Sequence, residues 1–131
     1  MQVTRQGGRE AFESNDGQWL YYTKIPPIQG IWRIPVAGGE ERQVLNHGLQ
    51  GFWAVLDSGI CLGALDPESI PVIEFFRFAT GRSTVITKLS KDLLARAVQG
   101  SSFAVSPDGR WILLLLNDRT ESDLVLVENF R

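Results

Sequence analysis

An all-β chain assembled from repeats of four short antiparallel strands is the fold this sequence predicts, and three observations predict it. An apolar strand runs into an Asp-centred turn and on into a second strand three times, at Ser14-Asn15-Asp16-Gly17, Leu56-Asp57-Ser58-Gly59 and Ser106-Pro107-Asp108-Gly109. Asp16, Asp57 and Asp108 lie 41 and 51 residues apart, the period of a β-propeller blade. The segments between these turns are short, rich in β-branched and aromatic residues, and punctuated by glycine and proline. The architecture expected is about three four-stranded blades, half of a six-bladed ring. Such a half-ring is either closed by dimerisation or cut from a longer propeller.

The elements follow in order. Residues 11–13 lead into the first turn, and residues 19–24 form the second strand. Ile25-Pro26-Pro27-Ile28-Gln29-Gly30 cannot be helical and reads as a loop. Residues 31–36 and 42–45 are the third and fourth strands, joined by the hairpin turn Ala37-Gly38-Gly39-Glu40. The second unit repeats this with strands at 51–56, 60–65, 72–78 and 84–88. Its loop is Asp66-Pro67-Glu68-Ser69, and Ala79-Thr80-Gly81-Arg82 takes the hairpin's place. Residues 90–100 carry Leu93, Leu94, Ala97 and Val98 at helix-like spacing, so a short helical turn or ordered loop accounts for the longer second interval. The third unit has strands at 103–105, 111–117 and 124–127, with a loop at 118–122. Residues 2–5 supply the candidate for its missing outer strand. The predicted blades, within one domain spanning 1–131, are therefore roughly 9–45, 50–88 and 101–131 completed by 2–5. Closure of this kind hides a sheet edge that would otherwise template aggregation.

Composition limits the function classes. Thirteen basic and fifteen acidic side chains leave a net charge of −2, too balanced to attract nucleic acid or an anionic membrane by bulk field. Residues 1–10 are polar with no apolar h-region, so no signal peptide is expected. The aliphatic run at 112–116 is too short for a membrane span. A soluble cytoplasmic or periplasmic location is expected, with nothing to choose between them. Cys61 is the one cysteine, which rules out an intrachain disulfide.

Ser106-Pro107-Asp108-Gly109-Arg110-Trp111 and the stretch Ile31-Trp32-Arg33-Ile34-Pro35-Val36-Ala37-Gly38-Gly39-Glu40 resemble the Pro-Asp repeats of TolB-type, WD-like bacterial β-propellers. The resemblance covers nearly the whole chain and is weakest in the middle unit, where Leu56-Asp57-Ser58-Gly59 lacks the proline. The ending Ser122-Asp123-Leu124-Val125-Leu126-Val127-Glu128-Asn129-Phe130-Arg131 is similar to the C-terminal end of large bacterial propeller proteins. The resemblance implies the C-terminal blades of such a protein, or a natural half-propeller. It implies fold far more than function.

The turn residues have a structural role to fill. Asp16, Asp57 and Asp108 can accept hydrogen bonds from backbone N–H groups two residues on, and Gly17 and Gly109 can supply positive φ. Trp19, Ile60 and Trp111 each lie three residues after their aspartate and are expected to pack between blades. Two copies related by a two-fold axis would then form the ring. In it residues 2–5 of one copy extend the strand at 124–127 of the other, and blade faces supply most of the energy.

Catalytic and metal chemistry finds little footing. A single His and a single Cys cannot form a His/Cys metal cluster, so neither a metal nor any cofactor is expected. There is no nucleophile elbow, phosphate loop or dinucleotide fingerprint. Asp118, Glu121 and Asp123 suit a solvated turn better than a cation site, and Lys88, Lys91 and Arg96 lack the interleaved aromatic residues of a nucleic-acid surface. Topology places a ligand site on the loop face, which carries His47, Gln29, Glu68, Arg119, Glu121 and the insert at 91–99. The expected function is a non-catalytic scaffold recognising a protein, peptide or small ligand. The alternatives are the substrate-gating propeller of a prolyl-oligopeptidase-like or tricorn-like hydrolase, and the sensor domain of a bacterial transcription regulator.

Overall fold

In a computed structural model, which describes residues 8–24, 27–92, 103–118 and 121–128, the strands fall into three antiparallel sheets. The first holds β1 (Arg9–Glu13), β2 (Trp19–Thr23), β3 (Ile31–Pro35) and β4 (Arg42–Leu45) in sequential order. The second holds β5 (Trp53–Val55), β6 (Gly59–Leu65), β7 (Pro71–Arg77) and β8 (Arg82–Lys88), again in order. The third is three-stranded: β9 (Phe103–Val105), β10 (Trp111–Asp118) and β11 (Glu121–Glu128). Residues 2–5, offered above as its fourth strand, lie outside the described residues, as does all of the 90–100 insert beyond the helical backbone of Lys91 and Asp92.

The meander arises because tight turns join strands whose alternate residues serve opposite faces. Strand β6 sits between the other two sheets and so is buried almost throughout. Ile60 and Leu62 pack toward the first sheet, in a core with Tyr21, Ile31, Leu45, Trp53 and Phe76. Cys61 turns the other way and joins Ile73, Phe75 and Ile112 at the seam with the third sheet. Burying a side chain such as Ile60 or Ile112 contributes about 1.5–3 kcal/mol.

Two of the three Asp turns form as expected. Asp16 Oδ1 accepts the Gln18 N–H at 3.0 Å, and Asp108 Oδ1 accepts the Arg110 N–H at 3.0 Å. Gly17 and Gly109 take φ of 70° and 68°. A serine completes each turn: the Ser14 hydroxyl accepts the Trp19 N–H at 3.0 Å, and that of Ser106 accepts the Trp111 N–H at 2.9 Å. The middle turn departs from expectation. Among the described residues Asp57 holds no backbone amide; its Oδ1 accepts from Asn15 Nδ2 at 2.6 Å, tying the second repeat to the first. The reason is length. The bond Leu56 N–H to Gly59 O (2.8 Å) closes this turn two residues sooner than Ser14 N–H to Trp19 O (2.8 Å) closes the first.

That difference also corrects the inter-blade residues. Backbone bonding makes Gly59, and not Ile60, the counterpart of Trp19 and Trp111. Trp19 packs beside the first core and Ile60 lies within it, as expected of both, but among the described residues Trp111 belongs to neither core and its neighbour Ile112 fills the second. The expected loop at 118–122 is shorter too. Strands β10 and β11 pair without a register shift up to Asp118 opposite Glu121, so Glu121 opens a strand.

Candidate functional site

The connections between second and third strands and between repeats share one end of the sheets, and three expected site residues lie there. The His47 ring sits between two oxygens, Asn46 Oδ1 at 2.9 Å from Nδ1 and Glu74 Oε2 at 2.7 Å from Nε2. Gln29 offers its backbone carbonyl to Gln43 Nε2 at 3.1 Å. Glu68 donates its backbone N–H to Asp66 Oδ1 at 2.9 Å, so it is Asp66 that organises its loop. No hydrogen bond or ion pair joins His47, Gln29 and Glu68 to one another among the described residues. Arg119 lies outside the described residues, and Glu121 sits at a strand end. These residues share an end of the fold without forming one site.

The first sheet also carries a buried ionic group that the sequence reading missed. Lys24, 2% exposed, places Nζ 2.5 Å from Glu41 Oε1 and 3.8 Å from the centre of the Trp32 ring. Tyr22 donates its hydroxyl to the other Glu41 oxygen. The Lys24 bond first, then that of Tyr22, holds the Glu41 carboxyl below its ordinary value, while burial first and then Glu41 push the Tyr22 phenol well above its own. Glu41 lies 17 and 19 residues from Lys24 and Tyr22, a separation that leaves no local signal.

A concave site is found at the opposite end, among the Asp turns. A groove of about 680 Å³ separates the outer half of the second sheet from the Pro107-Asp108-Gly109 turn of the third. Phe75, Thr84, Val85 and Ile86 line one wall, and Asp57 and Asp108 stand at its rim. Arg77 lies over the Phe75 ring, its guanidinium carbon 5.2 Å from the ring centre. Val85 is 54% exposed on β8, whose exposed residues bear the outer edge of the sheet. Asp57 and Asp108, expected only as turn residues, therefore also border the cavity. No group of three or more His, Cys, Asp or Glu side chains among the described residues is placed to hold a metal ion. No helix among them is long and apolar enough to cross a membrane.

Three sequential meanders packed face to face, with Asp turns at one end and longer loops at the other, define a β-propeller fold. The comparison with solved structures gives the same result: the chain is similar to TolB from Acinetobacter baumannii, with a TM-score of 0.53 and 15% identity. The match covers 90% of this chain and 27% of TolB, so the chain spans about a quarter of the protein it resembles. It is also similar to a candidate 6-phosphogluconolactonase from Bacteroides fragilis, with 13% identity, a TM-score of 0.49, and coverage of 95% of this chain and 40% of that one. No protein-family model matches the sequence, and no curated protein matches it.

Proposed function

We propose that this chain is a non-catalytic propeller segment that recognises an extended peptide. The groove between the second and third sheets carries the reading. It combines an aromatic wall at Phe75, an exposed strand edge at β8 that can extend by backbone pairing, and a charged rim. Asp108 on that rim is engaged in holding its own turn, and Asp57 in holding Asn15, so both serve as fixed charges. Selection of binders from a random peptide library, followed by amide-shift mapping on labelled protein, tests the proposal. Binders that shift Ser58, Arg77, Thr84 and Gly109 are expected. Selected peptides that map to the His47 and Glu68 loops would move the site to the other end.

Self-association through the third sheet belongs to the same proposal. Tyr21 and Cys61 occupy matching places in the first two repeats and are 3% and 0% exposed, each covered by the following sheet. Their counterpart Leu113 is 36% exposed. A blade of the same kind is the surface that covers such a face elsewhere in this fold, and a second copy of the chain supplies one. Light scattering across a dilution series should give a dimer near twice 14.6 kDa that Leu113→Lys dissociates. A monomer at all concentrations rules this out.

A further inference from the structure

The hairpin between β7 and β8 sets two like charges side by side. Arg77 and Arg82 are direct cross-strand partners, so both side chains leave the same face of the second sheet as Phe75 and Thr84, the pair two residues further along. That face is turned to the third sheet, and Arg77, Phe75 and Thr84 line the groove there. Like charges directly opposite on a sheet are destabilising. Both arginines are exposed, and among the described residues neither has a carboxylate within ion-pair distance. The first sheet also opposes two arginines, Arg33 and Arg42, and there the hairpin supplies Glu40, whose Oε2 lies 3.9 Å from Arg42 Nη2. The hairpin of the second sheet, Phe78-Ala79-Thr80-Gly81, carries no acid. The groove is therefore polarised. Asp57 and Asp108 stand on turns that leave β5 and β9, the strands where neighbouring sheets adjoin, while the arginines stand on the outer hairpin.

We infer that the Arg77–Arg82 pair receives a single carboxylate, the side chain of an aspartate or glutamate in the bound peptide. Arg77 is already positioned for it, with its guanidinium carbon 5.2 Å from the centre of the Phe75 ring. Neither guanidinium donates a hydrogen bond to a described residue, so the donors of both are available to a ligand. A carboxylate accepts two N–H bonds from one guanidinium and has lone pairs left for a second. Such a ligand turns a repelling pair into a neutralised cluster, so binding recovers the cost that the empty hairpin carries. Asp57 and Asp108 disfavour further negative charge along the rim, which argues against a polyanion and for one acidic residue at the arginine end. The inference rests on the peptide-recognition reading and adds to it the residue type that the arginines select.

The test uses isotopically labelled full chain titrated with the capped peptide Thr-Val-Glu-Val-Thr and its counterparts with Gln or Lys in place of Glu. Shifts are expected at Arg77, Arg82 and Thr84, with the Glu peptide binding roughly three- to tenfold tighter than the Gln peptide and the Lys peptide weakest. The preference should shrink as salt rises to about 0.5 M. Arg77→Gln should abolish it. Arg82→Glu should abolish it too, and should raise the urea midpoint by setting an acid opposite Arg77. Both positions are exposed, and unchanged shifts far from the groove verify that the variants fold. Groove binders selected from the random library should carry Asp or Glu. Equal affinity for the Glu and Gln peptides, a preference that survives Arg82→Glu, a lower midpoint for that variant, or groove binders without an acid each overturn the carboxylate site while leaving peptide recognition standing. No groove shifts with any peptide, together with library binders that map elsewhere, overturns both.

Discussion

The indole Nε1 of Trp53 donates to Oε2 of Glu10 across 3.0 Å, joining the first strand of the second repeat to the first strand of the first. Trp53 is 2% exposed, so its N–H has no water to fall back on. Glu10 reaches it from a bulged position in β1 with φ of 50°, a conformation a non-glycine residue adopts at some cost. Glu10→Ala should therefore destabilise the protein by about 1–3 kcal/mol, the cost of an unsatisfied buried donor. Glu10→Gln, which keeps an acceptor, should lose less. Urea denaturation of the two variants checks the order, and equal losses would mean the bond carries no weight.

The Lys24–Glu41 pair should shape the acid limb of stability. The folded carboxyl titrates below its unfolded value of about 4.5, so its contribution is complete above that pH and is lost as pH falls through the depressed folded value. Glu41→Gln should cost about 2 kcal/mol at neutral pH, less than for a wholly buried pair because Glu41 is partly exposed. Below the folded value the difference should vanish. Thermal melts of wild type and variant from pH 3 to 7 measure it, and curves that stay parallel throughout would refute the assignment.

Serine, beside aspartate, closes the outer turns. Ser106 Oγ accepts from Trp111 N–H at 2.9 Å and donates to Asp108 Oδ1 at 2.6 Å. Ser106→Ala should cost about 1 kcal/mol. Asp57→Ala removes one exposed bond to Asn15 and should cost less than about 0.5 kcal/mol. Denaturation midpoints would rank the reverse way if the middle turn worked as the outer two do.

The Cys61 thiol should be inert in the folded protein. Burial pushes it up to about 12, and no part of it reaches solvent. Between the unfolded value near 9 and about 12 the folded chain keeps a proton that the unfolded chain releases, so stability should fall with rising pH in that window. Alkylation by iodoacetamide at pH 8 should proceed at the rate of global unfolding. Rapid labelling under native conditions would show that the second seam opens locally.

Much of the architecture was legible because its causes are local. The Asx turns at Asp16 and Asp108 act over two residues, and the hairpins at Gly38 and Gly81 over three or four. The middle repeat misled by a simple count. Asp57 followed by Gly59 looks like another Asp-Gly turn, yet the counterpart of Trp19 is Gly59, visible only once the Leu56–Gly59 bond is drawn. The site was less legible. His47 was expected on a loop face, but its partner Glu74 is 27 residues away, and neither spacing nor residue type links the two.

By itself the sequence determined the strand order, the repeat and the two serine-closed turns, since hydrogen bonds to near neighbours and two-residue alternation are written within a few positions. Tertiary structure alone decided which faces meet, that Asp57 binds Asn15, that Lys24 is buried with Glu41 and Tyr22, and that a groove opens between the second sheet and the Pro107-Asp108-Gly109 turn. Those outcomes depend on side chains that distant parts of the chain bring within a few ångströms, and the space between two sheets is set by everything packed there at once.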